Sequence, residues 1–127
     1  MQQIFQAILQ IKPQTWKRTE GGRHMPKTQR AYYYALYADI ASAGMVPVAN
    51  NALLSLEVTF YNSDARWRDL DNLIKCLLDC GQPSNWINPK KDVGYRDFWD
   101  DKQFSKIKAE RVMSAYQDQI VLKIWEL

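Results

Sequence analysis

The sequence predicts a single α+β domain in the order β-α-β-α-β-β, with a mixed sheet of about four strands and two helices. Three observations carry that expectation. LLSLEVTFY, residues 53–61, alternates apolar and polar positions and is rich in β-branched and aromatic side chains, as strands are. TQRAYYYALYADIASAG, residues 28–44, is built from good helix formers and ends at a glycine. The chain closes with KIKAERVM and IVLKIWEL, two further runs of alternating character. With 127 residues, 46% of them hydrophobic, the whole chain from 1 to 127 is the size of one domain around one core.

Taken in order, residues 2–11 place Phe5, Ala7, Leu9 and Ile11 at strand spacing, although Ile4, Ile8 and Leu9 also suit a helical turn; a strand is favoured. Lys12 to Lys27 holds Pro13, Gly21, Gly22 and Pro26 among Lys17, Arg18, Arg23 and His24, which reads as an exposed basic loop. Thr28 is a candidate N-cap for the first helix, where Tyr33 and Tyr37 share a face and suit core packing better than base stacking. After the 53–61 strand, RDLDNLIKCLLDC reads as a strand exit and a short helix. Residues 81–99 form a long loop containing two prolines and two glycines, of a length that is often functional. The last two runs, joined by a polar turn near Gln117 to Gln119, are read as a β-hairpin.

Composition removes several chemistries. His24 is the only histidine, so catalytic triads of the Ser-His-Asp or Cys-His kind, which need a histidine base, are not expected, and a zinc helix bearing two histidines is excluded. It stands in the basic loop, as an exposed residue or a phosphate contact. The five glycines spell neither a Walker A loop nor a dinucleotide fingerprint, so no nucleotide cofactor is expected. Cys76 and Cys80, four apart on a helix, are expected to be reduced thiols, compatible with the cytoplasm. The first eleven residues resemble neither a signal peptide nor a membrane span.

Charge is unevenly distributed. The net value is only +3, but residues 1–30 carry six cations against Glu20, for +5. Residues 31–63 hold Asp39 and Glu57 alone, and the remainder balances eleven against eleven. Lys17, Arg18, Arg23, Lys27, Arg66 and Arg68 are the candidate phosphate contacts, with Arg68 equally suited to an ion pair with its neighbour Asp69.

The chemistry-bearing stretch is Arg66-Trp67-Arg68-Asp69-Leu70-Asp71-Asn72-Leu73-Ile74-Lys75, followed by Asp79. If Asp69 to Asp71 is extended, both carboxylates lie on one side of the chain, where their repulsion is relieved by a shared proton or by a hard cation such as Mg²⁺ or Mn²⁺. From Asp71 onward, helical spacing aligns Asp71, Lys75 and Asp79, and a lysine one turn from metal-binding acids suits a phosphate ligand. Asp100-Asp101 is the natural source of a third acid. The same residues equally fit helix caps, a solvated i,i+4 pair and a turn.

The pattern Arg68-Asp69-Leu70-Asp71-Asn72-Leu73 with Lys75 and Asp79, then Asp100-Asp101-Lys102-Gln103 before a basic strand, resembles the RusA family of Holliday junction resolvases. The resemblance is most specific over residues 66–112, and nearly the whole chain has a counterpart in order. It implies that Asp69, Asp71 and Asp101 are Mg²⁺ ligands, with Mn²⁺ able to substitute, and that Lys75 is the phosphate-facing cation needed for cleavage. Asp79 and Asp100 also match motif positions. One departure is the segment between Asp79 and Asp101, longer than in the family and containing Trp86, Tyr95, Phe98 and Trp99; Asp97 is the alternative ligand there.

What the resemblance implies is a metal-dependent endodeoxyribonuclease of recombination and repair. It would work as a homodimer on four-way DNA junctions in a prokaryotic or phage setting, cutting by paired symmetric nicks that leave 5′-phosphates. Two symmetric nicks suit two sites related by a two-fold axis. Trp16, Trp67 and Trp125 are expected in the core or a dimer interface, whereas Trp86 and Trp99 are candidates to wedge or stack at a junction. The rival readings are a nuclease acting on flaps or forks and a non-catalytic basic DNA-binding module.

Overall fold

The computed structural model describes residues 1–16 and 25–127. Its elements are β1 (Gln2–Leu9), α1 (Lys27–Ser42), β2 (Leu54–Tyr61), α2 (Leu70–Cys80), β3 (Phe104–Val112) and β4 (Gln119–Glu126), with 3-10 turns at Pro83–Asn85 and Asp101–Gln103. The expected class and element order hold: one four-stranded mixed sheet with two helices.

Strand order is β1-β4-β2-β3, and this corrects the expected closing hairpin. β4 does not pair with β3. It inserts between β1 and β2, antiparallel to both, while β3 runs parallel to β2 at the sheet edge. The reason lies in hydrophobicity: Ile120, Leu122 and Ile124 of β4 are at most 1% exposed and need a central position, whereas β3 carries Lys106, Lys108 and Glu110 in the open and tolerates an edge. Truncating one of those central side chains to alanine costs about 2–5 kcal/mol.

Alternation places Phe5, Ala7 and Leu9 of β1 and Leu54, Leu56, Val58 and Phe60 of β2 in the same core as the β4 triplet. α1 adds Leu36 and Ile40, and α2 adds Leu73, Leu77 and Leu78. Thr28 is not the N-cap of α1: Pro26 holds that position, outside the helix by its ψ of 147° and with no side-chain cap, and the helix starts at Lys27. No described helix is long and apolar enough to cross a membrane.

The 81–99 segment is a folded cover, not an open loop. Trp86 and Trp99 are 4% and 2% exposed, so the expectation that they wedge or stack at a junction is corrected. Trp86 Nε1 donates to the Asp79 carbonyl at 3.0 Å, and Trp99 Nε1 donates to the Leu78 carbonyl at 2.9 Å. Both indoles therefore satisfy their polar end against carbonyls at the C-terminal end of α2 while burying their rings. Tyr33 and Trp86 meet edge to face at 5.5 Å, and Tyr37 stacks on Phe98 at 4.7 Å, so the tyrosines of α1 serve packing. Cys76 and Cys80 are free and buried.

Candidate functional site

The site is built where β2 leaves the sheet. Asn62 Nδ2 donates to the Pro13 carbonyl at 3.1 Å, and the Asp64 carboxylate receives Lys12 at 2.9 Å and both terminal nitrogens of Arg68, at 2.7 and 3.1 Å. Arg68 is only 3% exposed, so this two-pronged pair anchors the turn from inside. Of the two uses open to Arg68, an ion pair is the one observed, with Asp64 in place of Asp69. Arg68 is thereby removed from the set of available phosphate contacts. Hydrogen bonds from Arg68 and then Lys12 hold the Asp64 carboxyl well below the ordinary carboxylate range. Arg111 instead donates to the Arg68 carbonyl at 3.1 Å.

That anchored turn delivers Asp69 to the start of α2. Asp69 is extended at φ −66°, ψ 126°, and its Oδ1 accepts the Asp71 backbone N–H at 2.9 Å. It is an N-cap, and Asp71 stands inside the first helical turn, so of the two arrangements open to the pair the helix cap is the one observed. Both side chains are exposed at the positive end of the helix dipole. Lys75 follows one turn later, also exposed, and the buried face of the helix is Leu73, Cys76, Leu77 and Leu78. Among the described residues, none of Asp69, Asp71, Lys75 and Asp101 takes part in an ion pair.

At the other end of α2 lies a second acidic pair. Asp79 is half-buried, and burial together with the charge of Asp101 pushes its carboxyl above the ordinary value, against the opposing pull of Lys75. The Asp101 backbone N–H donates to Gln82 Oε1 at 3.2 Å, which holds the Asp101–Gln103 turn beside the C-terminus of α2. Asp69 and Asp71 thus stand at one end of an 11-residue helix, roughly 16 Å long, and Asp101 at the other.

The other acids near Asp101 have structural tasks. Asp100 caps the 3-10 turn, its Oδ1 accepting from Lys102 N–H at 3.0 Å while Gln103 Oε1 receives the Asp100 N–H at 2.8 Å. The Lys102 N–H holds the Asp100 carboxyl below its ordinary value. Asp97, the alternative ligand, accepts from Ser84 through both oxygens, at 2.8 and 2.7 Å, and caps the Pro83–Asn85 turn.

In donor chemistry the acids fit a hard divalent cation, since all offer carboxylate oxygens. Among the described residues, however, no three acids, histidines or cysteines are gathered closely enough to hold a metal ion. Of the candidate phosphate contacts, Lys27 and Arg66 are exposed, and Lys17, Arg18 and Arg23 lie outside the described residues, as does His24. Of the two places expected for Trp67, the core is not the one found: it is 66% exposed, with the Arg111 guanidinium 3.6 Å over its ring. Its place between two arginines, ahead of a charged motif, was the signal available. No protein-family model matches this chain, and no curated protein matches it.

Proposed function

We propose that the chain is a Mg²⁺-dependent endodeoxyribonuclease acting on branched DNA, the four-way junction foremost. The observation that carries the reading is the start of α2, where Asp69, Asp71 and Lys75 are exposed and uncommitted to any described ion pair. Charged groups held on a rigid helix and left unneutralised are what a phosphodiester site requires. Asp69 Oδ2, the Asp71 carboxylate and Asp101 are the oxygens that would hold the cation. Bound there, Mg²⁺ supplies an activated water and charge stabilisation at the phosphate. Lys75 faces the scissile phosphate and stabilises its growing negative charge, while Lys27 and Arg66 grip flanking phosphates.

One chain holds Asp69 and Asp71 at one end of α2 and Asp101 at the other. A cation that takes oxygens from all three therefore needs a second copy of the chain or a rearranged 81–101 segment, which is where the expected homodimer enters. The same separation favours the second reading, a basic DNA-binding module whose acids are caps and surface charges.

Cleavage of a synthetic four-way junction, with linear duplex, flap and fork controls, separates these readings. The wild type and Asp71→Asn are compared in Mg²⁺ and in EDTA. Paired Mg²⁺-dependent nicks with 5′-phosphate ends, lost in Asp71→Asn, are expected. Binding that ignores Mg²⁺ and leaves every strand intact would overturn the enzyme reading in favour of the module.

A further inference from the structure

The exposed indole of Trp67 is not explained by the acids it precedes. At 66% exposure it presents a large aromatic surface to solvent. Its surroundings are ordered. The next residue, Arg68, is buried and clamped to Asp64, and Arg111 donates to the Arg68 carbonyl while laying its guanidinium 3.6 Å over the Trp67 ring. The indole carries a cation over its ring and is still 66% exposed, so the ring is oriented before any ligand arrives.

The same edge of the molecule presents a second aromatic. In the turn between β3 and β4, Ser114 N–H donates to the Asp64 carbonyl at 2.9 Å and Ala115 N–H to the Asn62 carbonyl at 2.8 Å. Ser114 adopts φ 55°, an unfavourable conformation for a serine, and the turn leaves Tyr116 fully exposed. Two exposed aromatic rings are thereby tied to the strand-exit segment that leads into Asp69, with the exposed Arg66 beside Trp67 in the chain.

We infer that Trp67, backed by Arg111, is a stacking platform for an unpaired or unstacked DNA base, with Tyr116 as a second aromatic contact. The inference rests on the proposed action on branched DNA and names how the branch is recognised. Bases at a branch point can leave the stack at least cost, and an aromatic face accepts any of them, so the platform reads structure without reading sequence. Two and four residues on, Asp69 and Asp71 meet the backbone of the nucleotide so held. Trp67 is a positioning residue in this scheme.

The test uses a four-way junction carrying 2-aminopurine at the branch point, in EDTA, with wild type, Trp67→Ala and Trp67→Phe. Affinity, probe fluorescence, melting temperature and sedimentation are measured for each, and wild-type cleavage in Mg²⁺ is scored separately. Wild type should change the fluorescence of the branch-point probe. Trp67→Ala should bind about fivefold to a hundredfold more weakly and lose that change, with melting temperature and oligomeric state preserved, and Trp67→Phe should restore most of both. Equal binding and equal probe response in Trp67→Ala overturns the platform while leaving the nuclease reading intact. A shift of Trp67→Ala to a smaller assembly makes Trp67 a contact between copies and also overturns it. Failure of wild type to bind any branched DNA overturns both proposals.

Discussion

Gly81 and Trp99 approach so closely that a Cβ on residue 81 would stand 2.0 Å from the Trp99 ring. The ring cannot retreat freely, because its Nε1 is bonded to the Leu78 carbonyl and the adjacent Phe98 N–H donates to the Gly81 carbonyl at 2.8 Å. This contact joins the end of α2 to the segment that delivers Asp100 and Asp101. Gly81→Ala is expected to destabilise the fold by about 1–3 kcal/mol through overpacking, read as a lower midpoint in urea unfolding.

Asp64 gives stability a pH dependence of known sign. Its carboxyl is held below the ordinary carboxylate range by hydrogen bonds from Arg68 and then Lys12, so folding favours the charged form. The contribution is present above the unfolded value of about 3.9 and is lost as pH falls through the lower folded value. Asp64→Asn should therefore melt earlier than wild type at neutral pH, with the gap closing in strong acid. A gap that stays constant from neutral pH to strong acid would show that the Arg68 and Lys12 contacts do not stabilise the fold.

Both cysteines should be silent in the native state. Burial pushes the Cys76 thiol up to about 12, and the Cys80 thiol, which donates to the Tyr33 carbonyl at 3.2 Å, is raised as well. A thiol reagent at pH 8 is expected to label neither in the folded protein and both after denaturation. Rapid native labelling would mean that α2 opens locally.

The arginines on either side of Trp67 should behave oppositely. Arg66 is exposed, so under the proposed function Arg66→Ala weakens DNA binding on all sequences and lowers the salt dependence by about one unit of slope, with Lys27→Ala acting likewise. Arg68→Ala instead removes the buried partner of Asp64 and should lower the melting temperature first. Melting curves and salt titrations of the three variants check this directly.

Local patterns were legible because they are short in range. Alternation in LLSLEVTFY gave β2, apolar spacing gave α2, and the Gly44 stop gave the end of α1, whose last helical residue is Ser42. The candidate acids were legible from residue type, but their arrangement was not: the step from Asp69 to Asp71 suits an extended chain and an N-cap equally, and only the Asp69 Oδ1 bond to Asp71 N–H distinguishes them. Trp86 and Trp99 misled because a proline- and glycine-rich stretch resembles an exposed loop until the carbonyls at the end of α2 are there to receive their indoles.

By itself, then, the sequence determined the elements, their order and the charged helix start, since each depends on residues a few positions apart. Tertiary structure decided the rest. It put β4 rather than β3 beside β2 on the antiparallel side, buried Arg68 against Asp64, left Trp67 in the open and set Asp101 at the far end of α2 from Asp71. The physical reason is common to all four: periodicity specifies which face of an element seeks cover, but the neighbour that provides it comes from a distant part of the chain and is chosen by competition among apolar surfaces and charges that meet only in the folded protein.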